Sequence, residues 1–299
     1  MSPVRGLMTR PIEPDSKTFI SQRQILHYVD WGNAGAPTLV LVHGGRDHCR
    51  SWDWVADRLR QSWHVVALDL AGHGESAWRS DGHYTMAGFV FDLAEFIRSQ
   101  LKAPVTLIGH SLGGNICVRY AGLFPDQVNR LASIEGLGPS PVRLAERESI
   151  PMADHLRTWI DQKREILERQ ARTHPTFEAA LARLREAHPR LSGEQARHLT
   201  QHGVRQVEVG KWRWKFDPAI RAWPPYEMLH CEVETIWQAI FAPVLLFYGS
   251  DSWHTPPDGD GRAGNFGTVR VEKIEGAGHW LHHDKFEEFM TKLTDFLSD

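Results

Sequence analysis

Residues 105–114 read Val-Thr-Leu-Ile-Gly-His-Ser-Leu-Gly-Gly, and this stretch decides the fold. Its first four residues are β-branched or apolar, which is typical of a short buried strand. The serine follows between glycines, and a helical pattern begins at Asn115. A Gly-x-Ser-x-Gly motif in the turn from a strand to a helix is the context of a nucleophile elbow. The sequence therefore predicts that Ser111 is a catalytic nucleophile.

The same turn predicts one half of an oxyanion hole. Glycines beside Ser111 let the backbone bend tightly, which pushes the hydroxyl out of the sheet. The turn also aims the backbone amide of Leu112, at the helix N-terminus, toward the same point. A second stretch, His43-Gly44-Gly45, ends the strand pattern of residues 38–42 and leaves the amide of Gly45 free. Leu112 and Gly45 are the predicted oxyanion donors.

The predicted general base is His279, in the stretch Gly276-Ala277-Gly278-His279-Trp280. A serine hydroxyl needs a base that titrates near neutrality, and imidazole is the usual choice. Among 17 histidines, His279 stands out because it follows the last strand pattern in a glycine-rich turn. Its place gives the chain order serine, acid, histidine. His282 and His283 follow closely, but the chain has no H-E-x-x-H pattern, so we expect no metal site.

Outward from residues 105–114, strand and helix patterns alternate. Near-continuous apolar strands separated by helices indicate an α/β fold with a parallel sheet covered on both faces. The strand patterns cover residues 25–29, 38–42, 63–68, 105–108, 131–134, 243–248 and 268–274. Residues 138–240 break this rhythm with charged amphipathic helices and no convincing buried strand. We therefore predict a core domain of residues 1–137 and 241–299, with a helical cap of residues 138–240 over the ligand-binding edge of the sheet.

Composition excludes several classes of protein. The 299 residues are 41% hydrophobic and 24% charged, which is ordinary for a globular chain. A net charge of -3 without a long basic run gives no reason to expect nucleic acid. No stretch approaches the roughly 18 apolar residues of a membrane span, and the N-terminus has no apolar signal region. Three widely spaced cysteines favour a reducing compartment. We expect a cytoplasmic protein without a membrane partner, as a monomer or a dimer.

Several segments together resemble the α/β-hydrolase superfamily, in its branch of capped esterases, lipases, haloperoxidase-like and dehalogenase-like enzymes. They are residues 41–59, 65–78, 105–114, 243–249 and 276–289. The resemblance implies a mostly parallel eight-stranded sheet with a cap inserted after the sixth strand, a serine–acid–histidine triad and no cofactor. Because the nucleophile is Ser111 and not an aspartate, the chemistry of dehalogenases and epoxide hydrolases is not expected.

The resemblance leaves the acid of the triad open. The family usually places it after the strand of residues 243–249, commonly three residues past the glycine, where this sequence has Ser252. Asp251, one residue earlier, is the preferred candidate. Glu135, after the strand of residues 131–134, is the alternative, because some dehalogenase-like members place the acid there. Either carboxylate could orient His279 and stabilise its imidazolium form. More distant candidates are Asp69 and Asp284.

A serine nucleophile suits acyl transfer, so the predicted activity is hydrolysis of small to medium carboxylic esters through an acyl-enzyme. Lactone hydrolysis, carbon–carbon bond hydrolysis and perhydrolysis remain alternatives on the same residues. A slow-turnover receptor for a small molecule is a further alternative. Arg46 follows the oxyanion loop and could contact a substrate carboxylate. The cap aromatics suggest an apolar pocket, or they pin the cap to its own core. The predicted substrate-contacting residues are Arg46, His110, Trp212, Trp214 and Trp280, and further cap aromatics are Trp159, Trp223 and Tyr226.

Overall fold

The computed structural model describes residues 13–168, 172–225 and 229–299, so the cap residue Tyr226 lies outside the described part. The described strands, in chain order, are β1 (Asp15–Ser21), β2 (Gln24–Asp30), β3 (Thr38–Val42), β4 (His64–Leu68), β5 (Val105–His110), β6 (Val128–Ile134), β7 (Val204–Glu208), β8 (Lys211–Trp214), β9 (Val244–Gly249) and β10 (Val269–Ile274). The described helices are α1 (Asp53–Leu59), α2 (Met86–Gln100), α3 (Leu112–Leu123), α4 (Pro141–Glu148), α5 (Met152–Glu168), α6 (Phe177–Ala187), α7 (Gly193–Gly203), α8 (His230–Gln238), α9 (Leu281–Asp284) and α10 (Phe286–Ser298). Among these helices, none combines the length and the apolar character needed to cross a membrane.

Within the described residues, one eight-stranded sheet has the strand order β1–β2–β4–β3–β5–β6–β9–β10. β2 runs antiparallel to its neighbours β1 and β4, and all other neighbouring pairs are parallel. The predicted fold class, a mostly parallel sheet flanked by helices, is confirmed. The carboxyl ends of β3, β5, β6, β9 and β10 therefore meet at one edge, as parallel strands require.

Apolar side chains fill both faces of this sheet. Successive side chains of a strand point to opposite faces. Leu39 and Leu41 of β3 accordingly pack in a layer with α1 and α10, whereas Val40 and Val42 pack in a layer with α2 and α3. Because all four side chains are completely buried, β3 is fixed between the two layers and the loop that follows it has a defined starting point.

The segment between β6 and β9 contains α4 to α8 and an antiparallel hairpin of β7 and β8. The sequence predicts its helices but not this hairpin, whose residues are mostly exposed and polar. The packing of α8 bears on one boundary of the predicted cap. α8 packs against α3, and its Val233 and Trp237 are buried in the same apolar layer as α3. Residues 230–240 therefore pack with the core, and we propose that the cap ends before α8.

Candidate active site

Ser111 occupies the turn between β5 and α3 with a φ of 51° and a ψ of -114°. A positive φ is rare for a residue with a side chain, so the surrounding structure must hold it there. The amide of Ser111 donates to the carbonyl of Ile134 at 2.8 Å. A Cβ atom at Gly113 would lie 2.2 Å from the carbonyl oxygen of Val42, and one at Gly109 would lie 2.5 Å from the carbonyl oxygen of Gly113. Both glycines of the motif are therefore required by close backbone packing.

The loop after β3 passes directly beside this turn. A Cβ atom at Gly44 would lie 3.3 Å from the Cβ of Ser111, and one at Gly45 would lie 4.0 Å from the Cδ2 of Leu112. Neither the amide of Gly45 nor that of Leu112 donates a hydrogen bond within the described ranges of the chain. The two amides predicted as oxyanion donors are thus brought close together and left free.

His43 holds this loop in place from within the core. Its Nδ1 donates to the carbonyl of Gly44 at 2.7 Å, and its Nε2 accepts from the amide of Leu70 at 3.0 Å. Burial lowers the pKa of His43 to about 4, so the ring is neutral and can both donate and accept. His43 therefore supports the loop rather than the chemistry.

The structure joins His279 to Glu135. The Nδ1 of His279 donates to the Oε2 of Glu135 at 2.5 Å. Glu135 follows β6, is buried, and accepts two further hydrogen bonds, from the amide of Gly249 at 2.9 Å and from the hydroxyl of Ser252 at 2.7 Å. Burial alone would raise the pKa of Glu135, but these donors, led by His279, bring it below its usual range. Glu135 is therefore an ionised carboxylate at the imidazole.

Asp251, the preferred acid of the sequence analysis, does not have this position. Its half-exposed carboxylate accepts from the guanidinium of Arg190 at 2.9 Å. The turn after β9 instead directs the neighbouring Ser252 at Glu135, the carboxylate that reaches His279. The geometry therefore favours the alternative that the sequence left open. Ser252, which the sequence marked only as a departure from the family pattern, is the contact that sequence reasoning missed.

His110 is buried and contacts the backbone of His279, the predicted base. Its ring is fully buried, and its Nε2 donates to the backbone carbonyl of His279 at 2.9 Å. Burial holds the pKa of His110 well below its usual value, so the ring stays neutral. The prediction that His110 contacts substrate is therefore not supported. Its hydrogen bond instead ties the histidine loop to the residue before Ser111.

Three other predicted residues lie at a pocket on the border between the cap segment and the core. Arg46, Trp214 and Trp280 all line it. Trp280 is partly buried and stacks on His188 with ring centroids 4.0 Å apart. Arg46 directly follows Gly45 and Trp280 directly follows His279, so the pocket is lined by the two loops that carry the predicted oxyanion donor and the predicted base.

The other cap tryptophans pack within the protein. Trp212 contacts the ring of Phe177 with centroids 5.8 Å apart. The indole of Trp159 donates to the carbonyl of Ala222 at 3.2 Å, and Trp223 packs against the apolar layer of α2 and α3. For these residues the structure supports the interpretation that aromatics pin the cap, and the predicted substrate contact of Trp212 is not supported.

The described residues contain three groups with the chemistry of metal ligands. The ligand atoms of Glu135, His254 and His279 lie within 4.8 Å of one another. The other groups are His27, Cys49 and Asp69, and Asp53, His198 and His202. In every group the carboxylate already accepts hydrogen bonds from protein donors, which explains why the residues converge. That the reaction uses neither a metal nor a cofactor stays a prediction.

Comparison with known proteins shows the family and the fold. The family model described as the alpha/beta hydrolase fold matches residues 37–286. Esterase Rv0045c of Mycobacterium tuberculosis is 29% identical over 260 residues, which cover 85% of this chain and 80% of the relative. A serine hydrolase-like protein of Danio rerio is 29% identical over 277 residues, which cover 89% and 83%. The solved thioesterase domain from the curacin biosynthetic pathway superposes with a TM-score of 0.82 at 25% identity, covering 94% of this chain and 99% of that domain.

Proposed function

This chain belongs to the α/β-hydrolase fold family and is a carboxylic ester hydrolase, and from that premise we propose that it cleaves small to medium carboxylic esters through an acyl-enzyme on Ser111. His279 acts as the general base, and Glu135 is the acid of the triad. The observation that carries the proposal is the 2.5 Å hydrogen bond from His279 to buried Glu135 at the sheet edge that presents Ser111.

In the first step, the hydroxyl of Ser111 attacks the ester carbonyl carbon and passes its proton to the Nε2 of His279. The hydrogen bond from Nδ1 to Glu135 supports this step because it fixes the tautomer that leaves Nε2 unprotonated. The oxyanion that forms accepts hydrogen bonds from the free amides of Gly45 and Leu112. One such donor typically contributes about 100- to 1000-fold in rate.

In the second step, the tetrahedral adduct collapses and expels the alcohol, which takes its proton from His279. The acyl group stays on Ser111 as an ester. A water molecule then attacks this ester with His279 again as the base, which releases the acid and restores the serine. The ionised Glu135 stabilises the imidazolium of His279 in both halves of the cycle.

The test combines activity with covalent labelling. We expect Ser111→Ala to abolish hydrolysis of p-nitrophenyl butyrate and labelling by a fluorophosphonate probe, because both need the same hydroxyl. Ser149→Ala is the matched control, since Ser149 is an exposed serine at the end of α4, and it should retain both signals. Labelling that persists in Ser111→Ala would overturn the assignment.

A panel of esters and lactones of graded size separates the alternatives that use the same residues. Preferential turnover of lactones would replace the ester assignment. Tight ligand binding with turnover below about one per minute, against a median near 10 per second for enzymes, would indicate a receptor instead.

A further inference from the structure

Arg46 is placed by the oxyanion loop itself. It directly follows Gly45, and its φ of 65° lies in the left-handed region that side chains rarely adopt. Its side chain reaches solvent but also lines the pocket between the core and the cap segment. A group bound by this guanidinium would therefore lie in a pocket that the oxyanion loop itself lines.

The charges around Arg46 are not balanced. In the described ranges, Arg46 has neither a hydrogen bond nor an ion pair, and the same holds for Arg221, at the end of the short helix Pro218–Arg221. Burial and then the charge of Arg221 lower the pKa of Arg46, so the two cations act on each other. Two neighbouring like charges without a carboxylate are unfavourable on their own.

The acidic groups near this pocket do not compensate for the two arginines. Asp47 lines the pocket, but burial raises its pKa to about 7, and its Oδ1 accepts from the amide of His48 at 2.9 Å. Glu75 is already paired with Lys215. The cationic character at Arg46 is therefore left for a ligand.

His188 interacts electrostatically with both Arg46 and His279. Burial, followed by the charges of Arg46 and His279, lowers the pKa of His188 to about 4. Both groups therefore act on the same ring, which stacks on Trp280 beside the catalytic histidine. Apart from His48 and Lys215, the remaining side chains of the pocket are apolar and suit a short methylene chain; they are Leu184, Leu199, Trp214, Phe216 and Trp280.

We propose that Arg46 binds a carboxylate on the substrate, so that the preferred substrates are half-esters of short dicarboxylic acids. The planar guanidinium matches a carboxylate with two parallel hydrogen bonds. The methylene chain between the two carbonyl groups would lie along the apolar wall. This inference rests on the proposed function, because it assigns the acyl part of the same ester.

The experiment compares matched pairs of methyl esters by acid release. The monomethyl esters of succinate, glutarate and adipate each carry the free carboxylate. For glutarate, the neutral isostere is methyl 5-methylhexanoate, and branched isosteres of matching length serve the other two. We expect kcat/KM for the best half-ester to exceed that for its isostere by at least about tenfold, as charge-assisted hydrogen bonds allow. Salt should reduce this preference, because it screens exposed charges.

Variants test whether Arg46 causes the preference for half-esters. Arg46→Gln should lower the ratio of the two kcat/KM values by at least about tenfold, since two charge-assisted hydrogen bonds are lost. Arg46→Lys should retain part of the preference. Arg60→Gln is the matched control, because Arg60 is paired with Asp57 at the end of α1, and its ratio should equal that of the unmodified protein.

The outcomes distinguish this inference from the proposed function. Hydrolysis of the neutral esters without preference for any half-ester would overturn the inference and leave the function standing. Loss of all ester hydrolysis and of Ser111 labelling in the unmodified protein would overturn both. If Arg46→Gln loses all activity through misfolding, Arg46→Lys decides, because a point charge in place of the planar fork should weaken the preference, and an unchanged ratio would contradict the two parallel hydrogen bonds.

Discussion

Glu135 keeps its negative charge in a buried position because three hydrogen-bond donors converge on its two oxygens. Gly249 satisfies Oε1, while Ser252 and His279 share Oε2. A buried carboxylate without such donors would bind a proton and could no longer stabilise an imidazolium. The strength of the acid is thus set by the turn after β9 as much as by Glu135.

We expect Glu135→Gln to lower kcat for p-nitrophenyl butyrate by several orders of magnitude. The reference is the roughly 10⁴-fold loss in the serine protease template when an amide replaces the acid and the histidine takes the wrong tautomer. Asp251→Asn should stay within about twofold of the unmodified enzyme, because it changes only exposed contacts with Arg190 and Ser250. The reverse result would restore Asp251 as the acid.

Ser252 offers a further test of the same arrangement. In the Glu135→Gln background, we expect Ser252→Asp to raise kcat at least about tenfold, because a carboxylate at the usual family position would face the same imidazole. Ser252→Ala in that background supplies no charge and should give no recovery. Equal activity of the two double variants would mean that position 252 does not reach His279.

At the scale of the element, the packing of α3 on β3 decides whether the elbow forms. No side chain fits between Gly113 and Val42, so the helix N-terminus rests directly on the strand backbone. This contact lets the amide of Leu112 point out beside the loop that follows β3.

We expect Gly113→Ala to destabilise the protein by about 1–3 kcal/mol or more, as overpacking of a tight site does. The added methyl would meet the carbonyl oxygen of Val42, and this clash outweighs the better helix propensity of alanine. Urea unfolding measures the change, and ester hydrolysis should fall with it. Gly35→Ala is the control, because nothing lies within 4 Å of its added Cβ. Equal stability of both variants would contradict the close approach.

The burial of each element explains which strands the sequence could predict. Strands such as β3 and β5 are buried on both faces, so their uninterrupted apolar pattern predicts them correctly. β1 escaped prediction because it is a partly exposed edge strand with a polar pattern. Ser111 and His279 belong to local motifs, whereas the acid depends on how the turns after β6 and β9 meet. The way these two turns approach each other depends on the tertiary structure, so residue spacing could not decide between Asp251 and Glu135.

At the scale of the whole molecule, buried and partly buried histidines couple stability to pH. Burial is the first cause of the lowered pKa in each of them. The values fall to about 4 for His43, His188 and His254, and to about 3 for His73, His202 and His283. These rings are neutral in the folded state at pH 5, whereas in the unfolded chain they bind protons below about pH 6.5.

We therefore expect the free energy of unfolding to fall as the pH drops from about 6.5 toward 4, since the unfolded chain takes up protons. Each proton contributes about 1.4 kcal/mol per pH unit once the pH is well below 6.5. Asp47 opposes this trend, because its raised pKa of about 7 means that it releases a proton on unfolding. Burial also raises the pKa of Asp92 and Asp284, which oppose the trend in the same way. These three carboxyl groups do not cancel six imidazoles. Urea midpoints at pH 8, 7, 6 and 5 measure the effect, and a flat profile between pH 7 and 5 would refute it.

The contact between Glu135 and Ser252 suggests how the acid of the triad can change position during the evolution of the family. The two positions end adjacent strands, β6 and β9, and serve one imidazole. A lineage can therefore transfer its acid from one strand to the other through an ancestor with carboxylates at both places. One of the pair would hold a proton in that ancestor, because two neighbouring carboxylates do not ionise together. Alignments that inspect only the position of Ser252 would classify such a descendant as inactive, although its histidine never lacks a partner.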